Sequence, residues 1–142
     1  MKELGVRIGR LLKGGEVIEM VGDVGAGKTT LTKGIGKGLA IDDDIQSPSF
    51  TISRVYEARD DLQLAHYDFY RLQNAGIMAE ELHEAVNDPR NITIIEWAEI
   101  VTGVLPGDRL DIGITATGDD TRSVKITGHG TRSEQLLKDF QA

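Results

Sequence analysis

The chain has 142 residues, 27% of them charged, with a net charge of −7 and no cysteine. Disulfides and thiolate chemistry are therefore excluded, and the acidic balance argues against a protein that wraps nucleic acid unaided. No apolar run approaches the roughly 20 residues of a membrane span, and residues 1–5 lack the apolar core of a signal peptide, so a cytoplasmic protein with no membrane association is expected.

Residues 3–13 are predicted to form an amphipathic helix, with Leu4, Ile8, Leu11 and Leu12 on one face and Lys2, Arg7, Arg10 and Lys13 off it. Gly14-Gly15 ends it and feeds a short strand over 16–21, whose apolar content is Val17, Ile18, Met20 and Val21. Next comes Gly22-Asp23-Val24-Gly25-Ala26-Gly27-Lys28-Thr29, which satisfies every fixed position of G-x-x-x-x-G-K-[ST]. In such a loop the glycines let backbone N–H groups converge on an anion. The lysine supplies charge for β- and γ-phosphates, and the hydroxyl is placed to reach Mg²⁺. Residues 30–39 read as the helix leaving the loop, with Leu31, Ile35 and Leu39 at four-residue spacing. Its N-terminal N–H groups complete the anion site. Gly34, Gly36 and Gly38 each cost about 1 kcal/mol relative to Ala in a helix interior, which implies close packing against the sheet or a short, frayed helix. Asp42-Asp43-Asp44 reads as a solvated loop.

Pro48 pushes Ser47 out of the helical region, so residues 46–52 lead in extended form to a strand over 50–57. The hydroxyls of Ser47, Ser49 and Thr51 fit either a loop that senses a γ-phosphate or a polar lead-in to a strand. Asp60-Asp61 marks a turn, after which Leu62, Leu64, His66 and Asp68 alternate onto one face. That pattern is a strand hairpinned to the previous one and ending in a carboxylate. His66 reads as a structural histidine more readily than as a ligand, and Arg71 either balances Asp68 or reaches a phosphate. Residues 76–86 read as a helix with Met78, Leu82, Ala85 and Val86 inward and Glu80, Glu81 and Glu84 outward.

Residues 91–97 form the most hydrophobic strand, expected at the centre of the sheet, and it stops on Glu96. A buried strand ending in an acid, downstream of a phosphate loop, is what a nucleotide hydrolase needs to hold Mg²⁺. A carboxylate there is costly unless paired, so Glu96 is assigned to the metal beside Thr29. Asp68 suits water positioning or the metal's outer shell. Trp97 either covers the nucleotide or packs. Residues 109–116 and 123–128 alternate around a turn at Gly118-Asp119-Asp120, a hairpin extending the sheet. Thr131-Arg132-Ser133-Glu134 is a capping-box signature for a last helix with Leu136, Leu137 and Phe140 on its apolar side. The expected architecture is α/β: a single domain over 1–142, with a mixed central sheet and helices on both faces.

The phosphate loop, Ser47-Pro48-Ser49-Phe50-Thr51, His66-Tyr67-Asp68-Phe69-Tyr70-Arg71-Leu72 and Glu96-Trp97, in that order and spacing, resemble the TsaE family, formerly YjeE. These are small P-loop ATPases of bacterial tRNA threonylcarbamoyladenosine synthesis, and the likeness runs over about residues 4–107. Ser49 and Phe69 stand where the family usually has Thr and Leu. The resemblance implies a P-loop NTPase fold and a cytoplasmic ATPase working with TsaB and TsaD, with tRNA met through that complex. Gly25, Ala26, Gly27, Lys28, Thr29 and Thr30 would bind ATP, and Thr29 and Glu96 would hold Mg²⁺. Lys28, Asp68 and Glu96 would serve hydrolysis, residues 47–51 would sense the nucleotide, and Trp97 would lie near the site. The alternative is a P-loop small-molecule kinase, which shares the loop and fold class. Such enzymes close an Arg-bearing lid, whereas Arg71 and Arg90 are the only arginines between the two acid-ended strands. A module using ATP as structural glue is disfavoured by Lys28, Thr29, Asp68 and Glu96 together, and GTP by the lack of an N-K-x-D motif.

Overall fold

The protein is represented by a computed structural model that describes residues 1–23, 27–46, 52–70, 72–73 and 76–142. The alternating segments become strands β1 (Val17–Val21), β2 (Ser53–Glu57), β3 (Gln63–Asp68), β4 (Asn91–Glu96), β5 (Arg109–Ala116) and β6 (Arg122–His129). Among the described residues they form one sheet in the order β2-β3-β4-β1-β5-β6. The four inner strands are mutually parallel, and β2 and β6 close the edges as antiparallel hairpin partners. Every residue of β4 is buried, Thr93 among its isoleucines included, as a near-continuous apolar run requires of a strand covered on both sides.

Helices α1 (Lys2–Leu11), α2 (Lys28–Gly38) and α4 (Thr131–Gln141) cover one face. There Ile8, Leu31, Ile35 and Leu136 pack on Ile18, Leu64, Ile94 and Ile112. Helix α3 (Met78–Asn87) and a 3₁₀ turn (Ala98–Val101) cover the other, with Leu82, Ala98 and Val101 against Val17, Ala65, Tyr67 and Ile95. Each fully buried Leu or Ile contributes about 1.5–3 kcal/mol over leaving it exposed.

The structure moves several expected boundaries. Helix α1 stops at Leu11, because Leu12 turns extended at φ −72°, ψ 139°. The Arg59 guanidinium accounts for the early stop: one nitrogen donates to the Gly9, Arg10 and Leu12 carbonyls at 2.9–3.1 Å. On the other side of the turn the Glu16 carboxylate takes the Lys13 and Gly14 amides at 2.8 and 2.7 Å. Helix α2 begins at Lys28, two residues earlier than its apolar spacing suggested. Strand β2 begins at Ser53; residues 47–51 lie outside the described residues.

The glycines of α2 pack on a helix rather than on the sheet. A Cβ on Gly34 would fall inside van der Waals contact of the Lys2 carbonyl oxygen, and one on Gly38 inside that of Val6. Gly5 and Gly9 of α1 meet the Leu31 and Ile35 carbonyls in the same way. Four glycines thus bring two backbones together where any side chain would hold them apart. Gly36 differs, because its added Cβ would meet the tip of the Ile45 side chain.

The capping box does not form: Gly130 precedes α4, and no side chain at that position caps it. Asp108, just before β5, does so instead, accepting from the Arg132 and Ser133 amides at 2.9 Å and from the Ser133 hydroxyl at 2.6 Å. One carboxylate from across the fold satisfies two free amides at once, which a local threonine cannot. Burial opposes the charge on Asp108. The Ser133 hydroxyl, the two amides and the nearby Arg132 charge outweigh it and hold the carboxyl below its usual range.

Candidate active site

Open parallel sheets bind ligands beyond the carboxyl ends of their strands, and here those ends gather the charged side chains. Strand β1 delivers the chain to Gly27, whose φ of 113° is one that L side chains rarely adopt. The Gly27 carbonyl then accepts from Leu31 N at 3.0 Å and opens α2. Lys28 is thereby set on the first turn, 6% exposed. Its ammonium donates to the Gly22 carbonyl at 2.7 Å and stands 3.7 Å from Glu96 Oε1. It also lies 4.2 Å from the centre of the Trp97 ring, a cation–π contact. Thr29 and Thr30 follow on the same turn, and the Thr32 hydroxyl donates to the Lys28 carbonyl at 2.8 Å.

Glu96 reaches this point because β4 lies between β3 and β1, in register with Asp68 on one side and Met20 on the other. It is 3% exposed. Its charge is met by Lys28 on one oxygen and by His66 Nε2 at 2.6 Å on the other. A buried acid at a strand end needs partners, and these two side chains supply them. Asp68 is half-buried at the end of β3 and accepts from the Tyr70 amide at 3.0 Å. Trp97, immediately after β4, is left-handed at φ 58°, a conformation costing a non-glycine residue of order 1–2 kcal/mol. Its ring is held by Lys28 and by Tyr70, whose ring centre is 4.8 Å away.

Of the residues singled out from sequence, Gly27, Lys28, Thr29, Thr30, Asp68 and Glu96 all fall at this edge of the sheet. Gly25, Ala26, the 47–51 segment and Arg71 lie outside the described residues. Arg90 precedes β4, at the opposite edge, and its Nε donates to the Asp61 carbonyl at 3.0 Å. Sequence reasoning missed the pairing of His66 with Glu96. Period-two alternation put His66 and Asp68 on one face, but only strand register brings in a residue thirty positions away. It also missed Gly22 as the lysine's carbonyl partner.

Thr29, Glu96 and Asp68 offer hydroxyl and carboxylate oxygens, the donors a hard cation takes. Among the described residues no three His, Cys, Asp or Glu side chains cluster tightly enough to hold a metal alone. Burial, with Glu81 beside it, pushes the Tyr67 phenol up to about 12. Burial and then the Asp111 charge raise Glu19. Among the described residues no helix is long and apolar enough to cross a membrane.

The family model "Threonylcarbamoyl adenosine biosynthesis protein TsaE" matches residues 1–124. The tRNA threonylcarbamoyladenosine biosynthesis protein TsaE of Streptomyces coelicolor is 39% identical, over 93% of this chain and 93% of its own. That of Bacillus subtilis is 38% identical, over 90% and 79% respectively. The crystal structure of Bacillus subtilis YdiB superposes with a TM-score of 0.79 at 34% identity, covering 99% of this chain and 86% of that one.

Proposed function

This chain belongs to the TsaE family of tRNA threonylcarbamoyladenosine biosynthesis proteins, and on that premise we propose that it is a cytoplasmic, single-domain P-loop ATPase. Its hydrolysis of ATP, weak alone, drives turnover of a TsaB–TsaD complex, through which it meets tRNA. The observation that carries this reading is the approach of the Lys28 ammonium to the Glu96 carboxylate, 3.7 Å apart at the head of α2. A cation for phosphate and an acid for metal stand side by side at the N-terminus of a helix.

In the proposed reaction the amides of residues 25–30 cradle the phosphates, and Lys28 exchanges the Gly22 carbonyl for β- and γ-phosphate oxygens. Thr29 and Glu96 would hold Mg²⁺, which would supply positive charge to offset that of the phosphates. Asp68 orients the attacking water. Trp97 shields Lys28 from bulk solvent and so strengthens its field at the phosphates.

Turnover of γ-labelled ATP, with and without TsaB–TsaD, tests the reading. Release of free phosphate, stimulated by the partners, is expected; label on a small acceptor would establish the kinase instead. Lys28→Ala should lower the rate by about 10²-fold or more, the scale of losing one charge-stabilising donor, with an unchanged circular dichroism spectrum. Parental turnover by that variant would overturn the assignment.

A further inference from the structure

We propose that His66 is a positioning residue that holds the Glu96 carboxylate in its cation-binding orientation, an inference resting on the reading of Glu96 as a metal ligand. His66 is wholly buried, and its Nε2 lies 2.6 Å from Glu96 Oε2. The β3–β4 register pairs His66 with Ile94, two positions back from Asp68 and Glu96 and therefore on the same face. The imidazole therefore rises from beneath the carboxylate rather than beside it. Glu96 has three side-chain torsions at the open end of a strand and could swing toward water. A rigid ring at its base confines it, leaving Oε1 aimed toward Lys28 at 3.7 Å.

The direction of the hydrogen bond follows from chemistry. With an ammonium beside its other oxygen, Glu96 accepts and Nε2 must carry the hydrogen. A histidine that merely filled the core would be a poor choice, because its Nδ1 is buried without a hydrogen-bond partner among the described residues. An apolar side chain would fill the same space and leave no nitrogen unsatisfied. The ring is retained where its Nε2–H has one use, and that use is Glu96.

Two variants separate this role from packing. His66→Gln carries its amide nitrogen to where Nε2 stands; His66→Asn, one carbon shorter, leaves it near Nδ1 and out of reach. The probe is Mn²⁺, followed by its paramagnetic resonance, on protein saturated with a non-hydrolysable ATP analogue. His66→Asn should bind Mn²⁺ about 10–100-fold more weakly than the parent, and His66→Gln within about threefold of it, as for other groups that orient a metal ligand. Metal-free binding of the analogue and the melting temperature should not distinguish the two variants. Equal Mn²⁺ affinities for the two variants overturn the role. Glu96→Gln is the reference: parental Mn²⁺ affinity there defeats the metal reading of Glu96 and this proposal with it. If Glu96→Gln loses Mn²⁺ and the His66 variants do not differ, only the positioning role falls. The parent protein gives a readout that needs no variant, because the His66 Nε2 resonance in a ¹⁵N spectrum should move when Mg²⁺ joins the analogue. A resonance that stays in place also overturns the role.

Discussion

Helices α2 and α4 lie on the same face of the sheet and are held there by opposite means. Helix α2 meets α1 through Gly34 and Gly38 against Gly5 and Gly9, with backbone carbonyls where side chains would otherwise stand. Helix α4 is tied by polar side chains: Asp108 caps its first turn, and Arg132 reaches back to the Gly14 carbonyl and the Glu16 carboxylate. The first contact has no side chain that can turn aside, so relieving it means moving one helix away from the other. The second is made of groups that water can replace one at a time. The helix that carries Lys28 is the one with no play, which is what a site needing fixed atoms requires.

Adding a single carbon tests the difference. Gly34→Ala should cost about 2 kcal/mol in urea denaturation, since overpacking of about 1–3 kcal/mol or more exceeds the gain of about 1 kcal/mol that alanine brings to a helix. ATP affinity should fall with it as Lys28 shifts. A more stable Gly34→Ala would mean that α1 simply slides away, and the contrast with α4 would vanish. Asp108→Ala should cost about 1 kcal/mol, the scale of a lost helix cap, and leave nucleotide binding unchanged. Its effect should depend on pH. The carboxyl lies below its ordinary value of 3.8 in the folded protein, so its contribution is complete above that value and fades as pH falls through the lower one. Parent and Asp108→Ala denaturation midpoints should therefore converge in strong acid. Gly36→Ala should matter least, because the gain of about 1 kcal/mol that alanine brings to a helix offsets the cost of displacing the Ile45 tip, the end of a side chain and not backbone.

How much of this could be read in the sequence depended on how local the cause was. Strands and helices were legible because their apolar residues repeat at two or four positions, and β4 announced its central place by a near-continuous run of isoleucines, with Thr93 among them, ahead of Glu96. The glycines of α2 were visible as a cost, but their partner was not, since Gly5 and Gly9 look like ordinary interruptions until α1 is laid across α2. The capping box failed for the same reason: Thr131 and Glu134 satisfy the local rule, and Asp108 overrides it from twenty-odd residues away. At the candidate site, the phosphate loop and the two acid-ended strands could be named from spacing alone. The link from Glu96 to His66 exists only once β3 and β4 are aligned, and the Trp97 ring over Lys28 only once β4 lies beside β1.

That alignment is also an index with discrete settings. A slip of β4 by one residue against β3 would put Trp97 or Ile95 beside Asp68 and turn the acid to the opposite face. Between such settings there is no half-way position in which a weaker version of the constellation survives. The pairing supplies the acids and the imidazole together or not at all, so any thermal loss of activity should follow the melting of this ladder in step.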